Sequence, residues 1–242
     1  AIAWVVPTFL VFELVPTKLP HYTLPAYPGI ALLAAAALAD PAFRSGTLWR
    51  RFAAAALLLV PLAAFAAAIV LPLLLSDPIP WAGVAVAGLG LAVAVATARA
   101  ILKAGAGLPA IAGTTATALL FYVAAWGLVL PSLSTAWLAP RLAAAVESAS
   151  ACPDPVPISP SYREPSLVFL TRTDARLVGP REAARLLAEL PCAIAAVDER
   201  HAEPFREAAS AEGLVLVERG SLAGFNISKG DFLDLSLYQP LR

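Results

Sequence analysis

Glu13, Lys18, His21, Tyr22 and Tyr27 fall within the single segment Glu13–Pro28, among the prolines Pro16, Pro20, Pro25 and Pro28. A lysine ammonium is a compact charge with three donors, suited to a phosphate oxygen, and tyrosine hydroxyls add neutral donors beside it. Phosphate binding at a membrane surface is the chemistry this set could do. The plain alternative is a snorkelling Lys18 with the tyrosines in an aromatic belt. Glu13 lies about one helical turn from Lys18 and could simply neutralise it. His21 is either a proton carrier near neutral pH or a hydrogen-bonded wall of a cavity, and the second reading is preferred.

The elements that must position these residues follow from the prolines and the apolar runs on either side. Each proline removes a donor and restricts the residue before it, so regular helix is not expected through the middle of 13–28. Irregular backbone at the edge of a bilayer is tolerated only where protein or a water-filled cavity surrounds it. Ionisable groups there point to function by default.

Of the 242 residues, 60% are hydrophobic and only 14% charged, with a mean hydropathy of +0.76. A soluble domain carries nearer a quarter charged residues, so much of this chain is read as lipid-embedded. The zero net charge hides an asymmetry. Residues 1–150 hold seven basic and four acidic side chains, and the remaining 92 hold ten and thirteen. Two parts with different solvents are implied. No basic patch calls for nucleic acid. The chain starts at Ala1 and contains no methionine, and it is read as a C-terminal piece of a longer protein.

The first part, 1–131, reads as transmembrane helices. Ala1–Val15 is the end of one, and Ile30–Ala39 continues as helix after the proline-rich loop, starting near Leu24. Phe52–Leu75, with kinks expected at Pro61 and Pro72, Trp81–Ala98 and Pro109–Leu130 follow, each near the length a bilayer requires. Small residues throughout allow close helix approach. Arg44, Arg50 and Arg51 sit in one short loop and Arg99 and Lys103 in another, whereas Ser76–Pro80 has no positive charge. The positive-inside rule puts the basic loops in the cytoplasm. The Lys18 loop, Ser76–Pro80 and everything after Leu130 then face the outer side.

Residues 132–160 read as an interfacial helix, Ser132–Ser150, striped by Trp137, Leu138, Leu142 and Val146, and then a proline-rich linker, Pro153–Pro160. Residues 161–242 read as a small α/β domain. Strands are expected at Ser166–Leu170, Ala193–Val197 and Leu214–Glu218, and helices at Pro180–Leu190 and Glu203–Ala211. A hairpin pairs Ala223–Ser228 with Phe232–Tyr238 across Lys229-Gly230. Cys152 and Cys192 both fall in the outer part. They either pair as a disulfide, if the compartment is oxidising, or stay as buried thiols. Zinc is not expected, because the only histidines, His21 and His201, lie in different parts. Asp198, Glu199 and His201 end a strand and begin a helix, where charged residues are ordinary. Asn226-Ile-Ser228 matches a glycosylation triplet but sits in an expected strand.

The segment Glu13-Leu-Val-Pro-Thr-Lys-Leu-Pro-His-Tyr-Thr-Leu-Pro-Ala-Tyr-Pro28 resembles the K-L-P-x-Y-x-L-P loop of bacterial polyprenyl-phosphate-dependent glycosyltransferases. These include the lipid A aminoarabinose transferases, related to the protein O-mannosyltransferases. Tyr162-Arg-Glu-Pro-Ser-Leu-Val-Phe169 and Gly224-Phe-Asn-Ile-Ser-Lys-Gly230 resemble segments of the same family's small outer domain. The resemblance implies the C-terminal part of a GT-C-type fold in the bacterial inner membrane, multi-pass, with the motif loop and C-terminal domain in the periplasm. It implies a polyprenyl-phosphate sugar donor and a lipid, such as lipid A, or another envelope acceptor. Lys18 would contact the donor phosphate with Tyr22 beside it, and Glu13, His21 and Tyr27 would line the cavity. The family's acidic catalytic residue belongs to an earlier outer loop outside this chain. A divalent cation near the phosphate is compatible with the chemistry, but no ligands for it can be read here. A transporter or flippase segment with an intramembrane Glu13/Lys18 site is the competing reading, followed by a membrane-anchored binding module.

Overall fold

The structure is a computed structural model that describes residues 1–15, 20–41, 46–105 and 107–241, the side chains of Pro20, His21, Leu38 and Ala39 excepted. The chain divides into two compact units, one of Ala1–Val70 with Pro80–Leu130, the other of Leu71–Ile79 with Pro131–Arg242.

The first unit is helical: α1 (Ile2–Leu14), a 3₁₀ segment (Pro20–Ala26), α2 (Tyr27–Ala39), α3 (Thr47–Leu75), α4 (Trp81–Ala104) and α5 (Leu108–Ser132), the last two residues of α5 and the last five of α3 belonging to the second unit. Among the described residues three helices, α3, α4 and α5, are long and apolar enough to cross a membrane. The protein is therefore a membrane protein by the length and composition of its helices. The span expected around Ile30–Ala39 is not among them, because α1 and α2 each have only 13 residues. Helix α3 begins at Thr47, earlier than expected, and runs without a break through Pro61 and Pro72. Helix α5 loosens into a π-helical stretch at Val123–Val129.

Helices α4 and α5 pack through small residues. The buried stripe of α4 is Gly83, Ala87, Gly90, Ala94, Thr97 and Ile101, spaced alternately by four and three, the repeat of a left-handed helix pair. A Cβ at Gly113 would lie 2.1 Å from Thr97 Oγ1, and one at Gly83 would lie 2.7 Å from Val129 Cγ2. Lipid tails are as apolar as these side chains, so close van der Waals contact holds such helices together. The hydroxyls of Thr97 and Thr117 return to the carbonyls of Val93 and Gly113, so both are satisfied within their own helices.

The second unit is an α/β/α layer. Helix α6 (Leu138–Ala149) leads to β1 (Val156–Ile158), α7 (Pro165–Leu170), α8 (Pro180–Glu189), β2 (Ala193–Asp198), α9 (Glu199–Ala211), β3 (Leu216–Asn226) and β4 (Asp231–Pro240). The sheet order is β1-β2-β4-β3, with β1 and β2 parallel and the other pairs antiparallel. All six residues of β2 are buried, as a central strand covered on both faces requires. Ile194 and Ala196 face α6 and α7 with Leu233, Leu235 and Leu237 of β4. Ala193, Ala195 and Val197 face α8 and α9, where Leu187 and Phe205 fill the layer.

Four expectations need correction here. Ser166–Leu170 lies in helix α7, not in a strand, with Pro165 at its first turn. The proline-rich linker contains β1, an edge strand, where Pro157 sacrifices no ladder bond of a central strand. The expected interfacial helix is a core helix: Leu138, Leu142 and Val146 are buried against the sheet. Its packing on β3 is close, since a Cβ at Gly224 would lie 2.6 Å from Leu138 Cδ1. Leu214–Glu218 and Ala223–Ser228 merge into one strand with a bulge between Glu218 and Gly220.

Gly113→Ala should push α4 and α5 apart and destabilise the helical unit by about 1–3 kcal/mol. Gly127→Ala, where nothing lies within 4 Å of the added carbon, should not. Thermal unfolding in detergent compares them, and equal midpoints would contradict the close-packed seam.

Candidate functional site

The segment that carries the candidate chemistry is bracketed by α1 and α2. These helices approach closely, because a Cβ at Gly29 would lie 2.7 Å from Val5 Cγ2. Between them Pro20–Ala26 forms a 3₁₀ turn with Pro25 inside it, a tight form used in short connectors. Tyr22 is half-buried, and its ring stacks on Phe12 with centroids 5.2 Å apart and planes at 26°. That contact brings Tyr22 beside the last turn of α1, which ends in Glu13 and Leu14. Glu13 is exposed, and Tyr27, opening α2, is 52% exposed. Lys18 lies outside the described residues, and of His21 only the backbone is described, within the 3₁₀ turn. The structure thus places Tyr22 against the end of α1 and Tyr27 at the head of α2.

In the second unit a carboxylate that the sequence reading passed over holds two chain segments together. Asp77, 9% exposed, accepts hydrogen bonds from Ser134 Oγ at 2.7 Å, Thr135 Oγ1 at 3.1 Å and the Thr135 N–H at 3.1 Å. Ser76 before it takes a positive φ of 56°, turning the chain out of α3. The loop was read only for its lack of positive charge. A lone acid following a long apolar helix, with Ser-Thr after another, was the available signal.

Asp198 is likewise structural. It is 2% exposed, accepts the Asp234 N–H at 3.0 Å and pairs with Arg200, which also reaches Asp231 at 3.0 Å. These carboxylates raise the Arg200 pKa above its ordinary value, so it stays charged. His201 Nδ1 lies 3.2 Å from Ser161 Oγ, which already accepts the Asp198 N–H at 2.9 Å. The serine oxygen is committed to this junction of β2 and α9. Among the described residues no three or more His, Cys, Asp or Glu side chains converge as metal ligands would.

Cys152 and Cys192 form a disulfide with Cα atoms 6.1 Å apart, joining the segment before β1 to the start of β2. Next to it Arg172 pairs with Asp154 and Asp174, and its guanidinium holds the Asp174 carboxyl below the usual carboxylate range. At the other end of the sheet Tyr162 lies in the core beneath α6. Burial raises its phenol above the ordinary tyrosine value, so it stays a neutral donor.

Comparison with protein-family models, with curated proteins and with solved structures finds no match for this chain. What it does must therefore be argued from its own residues.

Asp77→Ala removes the shared acceptor of the Ser134 and Thr135 hydroxyls and the Thr135 N–H and should destabilise the second unit by about 1–3 kcal/mol. Unchanged thermal unfolding would show that the carboxylate holds nothing. Reduction of the disulfide frees a 40-residue separation, and should lower stability by about 2–4 kcal/mol, read from chemical denaturation with and without reductant.

Proposed function

We propose that the chain belongs to an integral-membrane glycosyltransferase that moves a sugar from a polyprenyl-phosphate carrier to a lipid or other acceptor at the outer face of a bacterial inner membrane. The observation that carries this reading is the polar, proline-rich segment Glu13–Pro28 set between apolar helices. Its described part is a 3₁₀ turn with Tyr22 stacked on Phe12. A membrane anchor has no use for such a segment. A site for a phosphate head on an apolar tail does.

In this mechanism an acceptor oxygen or nitrogen attacks the anomeric carbon, the bond from that carbon to the carrier phosphate breaks, and the electron pair leaves with the phosphate. Charge on the leaving phosphate grows in the transition state. The Lys18 ammonium stabilises that charge more than it stabilises the ground state, which is how an electrostatic contact accelerates a reaction. Tyr22 donates a neutral hydrogen bond from the same cavity, and Glu13, His21 and Tyr27 form its walls. The acceptor gives up its proton to a general base, a role assigned to no residue of the segment 13–28. Fixing donor and acceptor in one cavity contributes the remainder by orientation.

The distribution of basic residues supports the same reading. Arg50, Arg51, Arg99 and Lys103 lie at the ends of spans that the positive-inside rule assigns to the cytoplasm. Residues after 130 then lie in the outer compartment, and the proposal has the shorter apolar stretch Tyr22–Ala37 cross as well, which brings the segment 13–28 to the same side. The Cys152–Cys192 disulfide suits an oxidising compartment there.

Membranes carrying the full-length protein should transfer label from a radiolabelled polyprenyl-phosphate sugar to acceptor. Lys18→Ala should lower that transfer by about 10²-fold or more with membrane insertion unchanged. Equal transfer by both proteins would reduce Lys18 to a snorkelling side chain. No transfer by either, across several donor sugars, would favour a transporter.

A further inference from the structure

A cavity of about 390 Å³ lies in the second unit between the start of α6, α7 and the tip of the β3–β4 hairpin. Its walls include Trp137, Leu138, Tyr162, Leu170, Phe225 and Ile227. The volume falls within the roughly 300–1,000 Å³ of small-molecule sites. Its rim is apolar and exposed: Ile227 at the hairpin turn is 63% exposed, and Phe169 beside Leu170 is 88% exposed. Phe232, across the hairpin and stacked edge-on with Phe225 at 5.0 Å, is also exposed. Lys229 stands exposed two residues after Ile227.

Asn226 is 2% exposed; its Oδ1 accepts the Ser228 N–H at 3.1 Å, and across the hairpin it is paired in register with Asp231. The other polar groups of the wall are engaged. Ser228 Oγ donates to Glu164 at 3.0 Å, and the Tyr162 hydroxyl lies 3.4 Å from Ser166 Oγ. The wall thus offers a ligand mainly apolar surface, which suits a hydrocarbon chain.

Helix α5 ends at Ser132 and Trp137 follows five residues later, a reach of at most about 18 Å. The intervening Ser134–Ala136 is a 3₁₀ turn, which shortens the reach further, and Asp77 ties Ser134 and Thr135 to the residues that follow the end of α3. The ends of two candidate spans are thus fixed next to Trp137 within the same unit. Tryptophan, isoleucine and phenylalanine beside a lysine are the residues that enter a headgroup layer.

We propose that this cavity holds one hydrocarbon chain of a bilayer lipid, with the Ile227–Lys229 turn inserted in the headgroup layer. The inference rests on the membrane-spanning helices and not on the transferase reading, so a failed transfer assay leaves it standing.

The test places a benzophenone amino acid at Ile227 or at Val215 in the full-length protein, reconstituted in vesicles of phosphatidylethanolamine and phosphatidylglycerol. The two positions are equally exposed, 63% each, but lie beyond opposite ends of the eleven-residue strand β3. That separates them by about 35 Å. Irradiation should give lipid adducts at 227 at least about tenfold above those at 215, detected by mass spectrometry of the protein, because a headgroup layer is only several ångströms deep. Equal adducts at the two positions, none at 227, or crosslinks from 227 mainly to protein would overturn the proposal. Intact electrophoretic mobility of the oxidised Cys152–Cys192 form confirms that each labelled protein is folded.

Discussion

The Asp77 carboxylate is the constraint on which the second unit depends. A carboxylate removed from water must be matched by donors, and here two hydroxyls and one backbone N–H supply the match. The consequence is geometric. The segment after α3 and the segment after α5, 57 residues apart in sequence, are locked together at the point where both leave their apolar helices. From that lock α6 starts, its Leu138 pressed against Gly224 of β3, and the α6 face of the sheet is built on it. Without the lock, the start of α6 would hang on a flexible tether after the last span.

The two units are held by different physics. In the second, water drives apolar side chains onto both faces of β2, and leucine, phenylalanine and tyrosine make up its layers. In the first, lipid offers no such drive. Contact there is made by glycine, alanine and threonine at close range, with hydroxyls folded back on their own helices. Large apolar side chains such as Leu59, Trp81 and Trp126 remain exposed in the structure, as lipid-facing residues do.

This contrast explains what the sequence made legible. The long spans α3, α4 and α5 announced themselves by length and hydropathy. The hairpin was legible because Leu233, Leu235 and Leu237 alternate with polar residues and Gly230 takes the positive φ its turn requires. Other features were hidden because one pattern serves two environments. The stripe Leu138, Leu142, Val146 would suit a membrane surface or a sheet, and only the tertiary partner decides. The short apolar run Ser166–Leu170 has no period that separates strand from helix, and Pro165 at its start favours the helix. Pro157 argued against β1, yet an edge strand tolerates it. In the candidate site, residue types drew attention to 13–28, but the Phe12–Tyr22 stack depends on how α1 meets the 3₁₀ turn and leaves no sequence period. Asp77 was invisible to a count of positive charges.

The central claim is that the segment 13–28 receives a polyprenyl phosphate. The most direct measurement is photoaffinity labelling of the full-length protein in membranes with a benzophenone-bearing polyprenyl phosphate, followed by peptide mapping. The account predicts label within or beside residues 13–28, removed by excess unmodified polyprenyl phosphate and not by an uncharged polyprenol. Label spread over α3–α5 without competition, or competed equally by the polyprenol, would contradict it, because the phosphate would then contribute nothing to where the carrier binds.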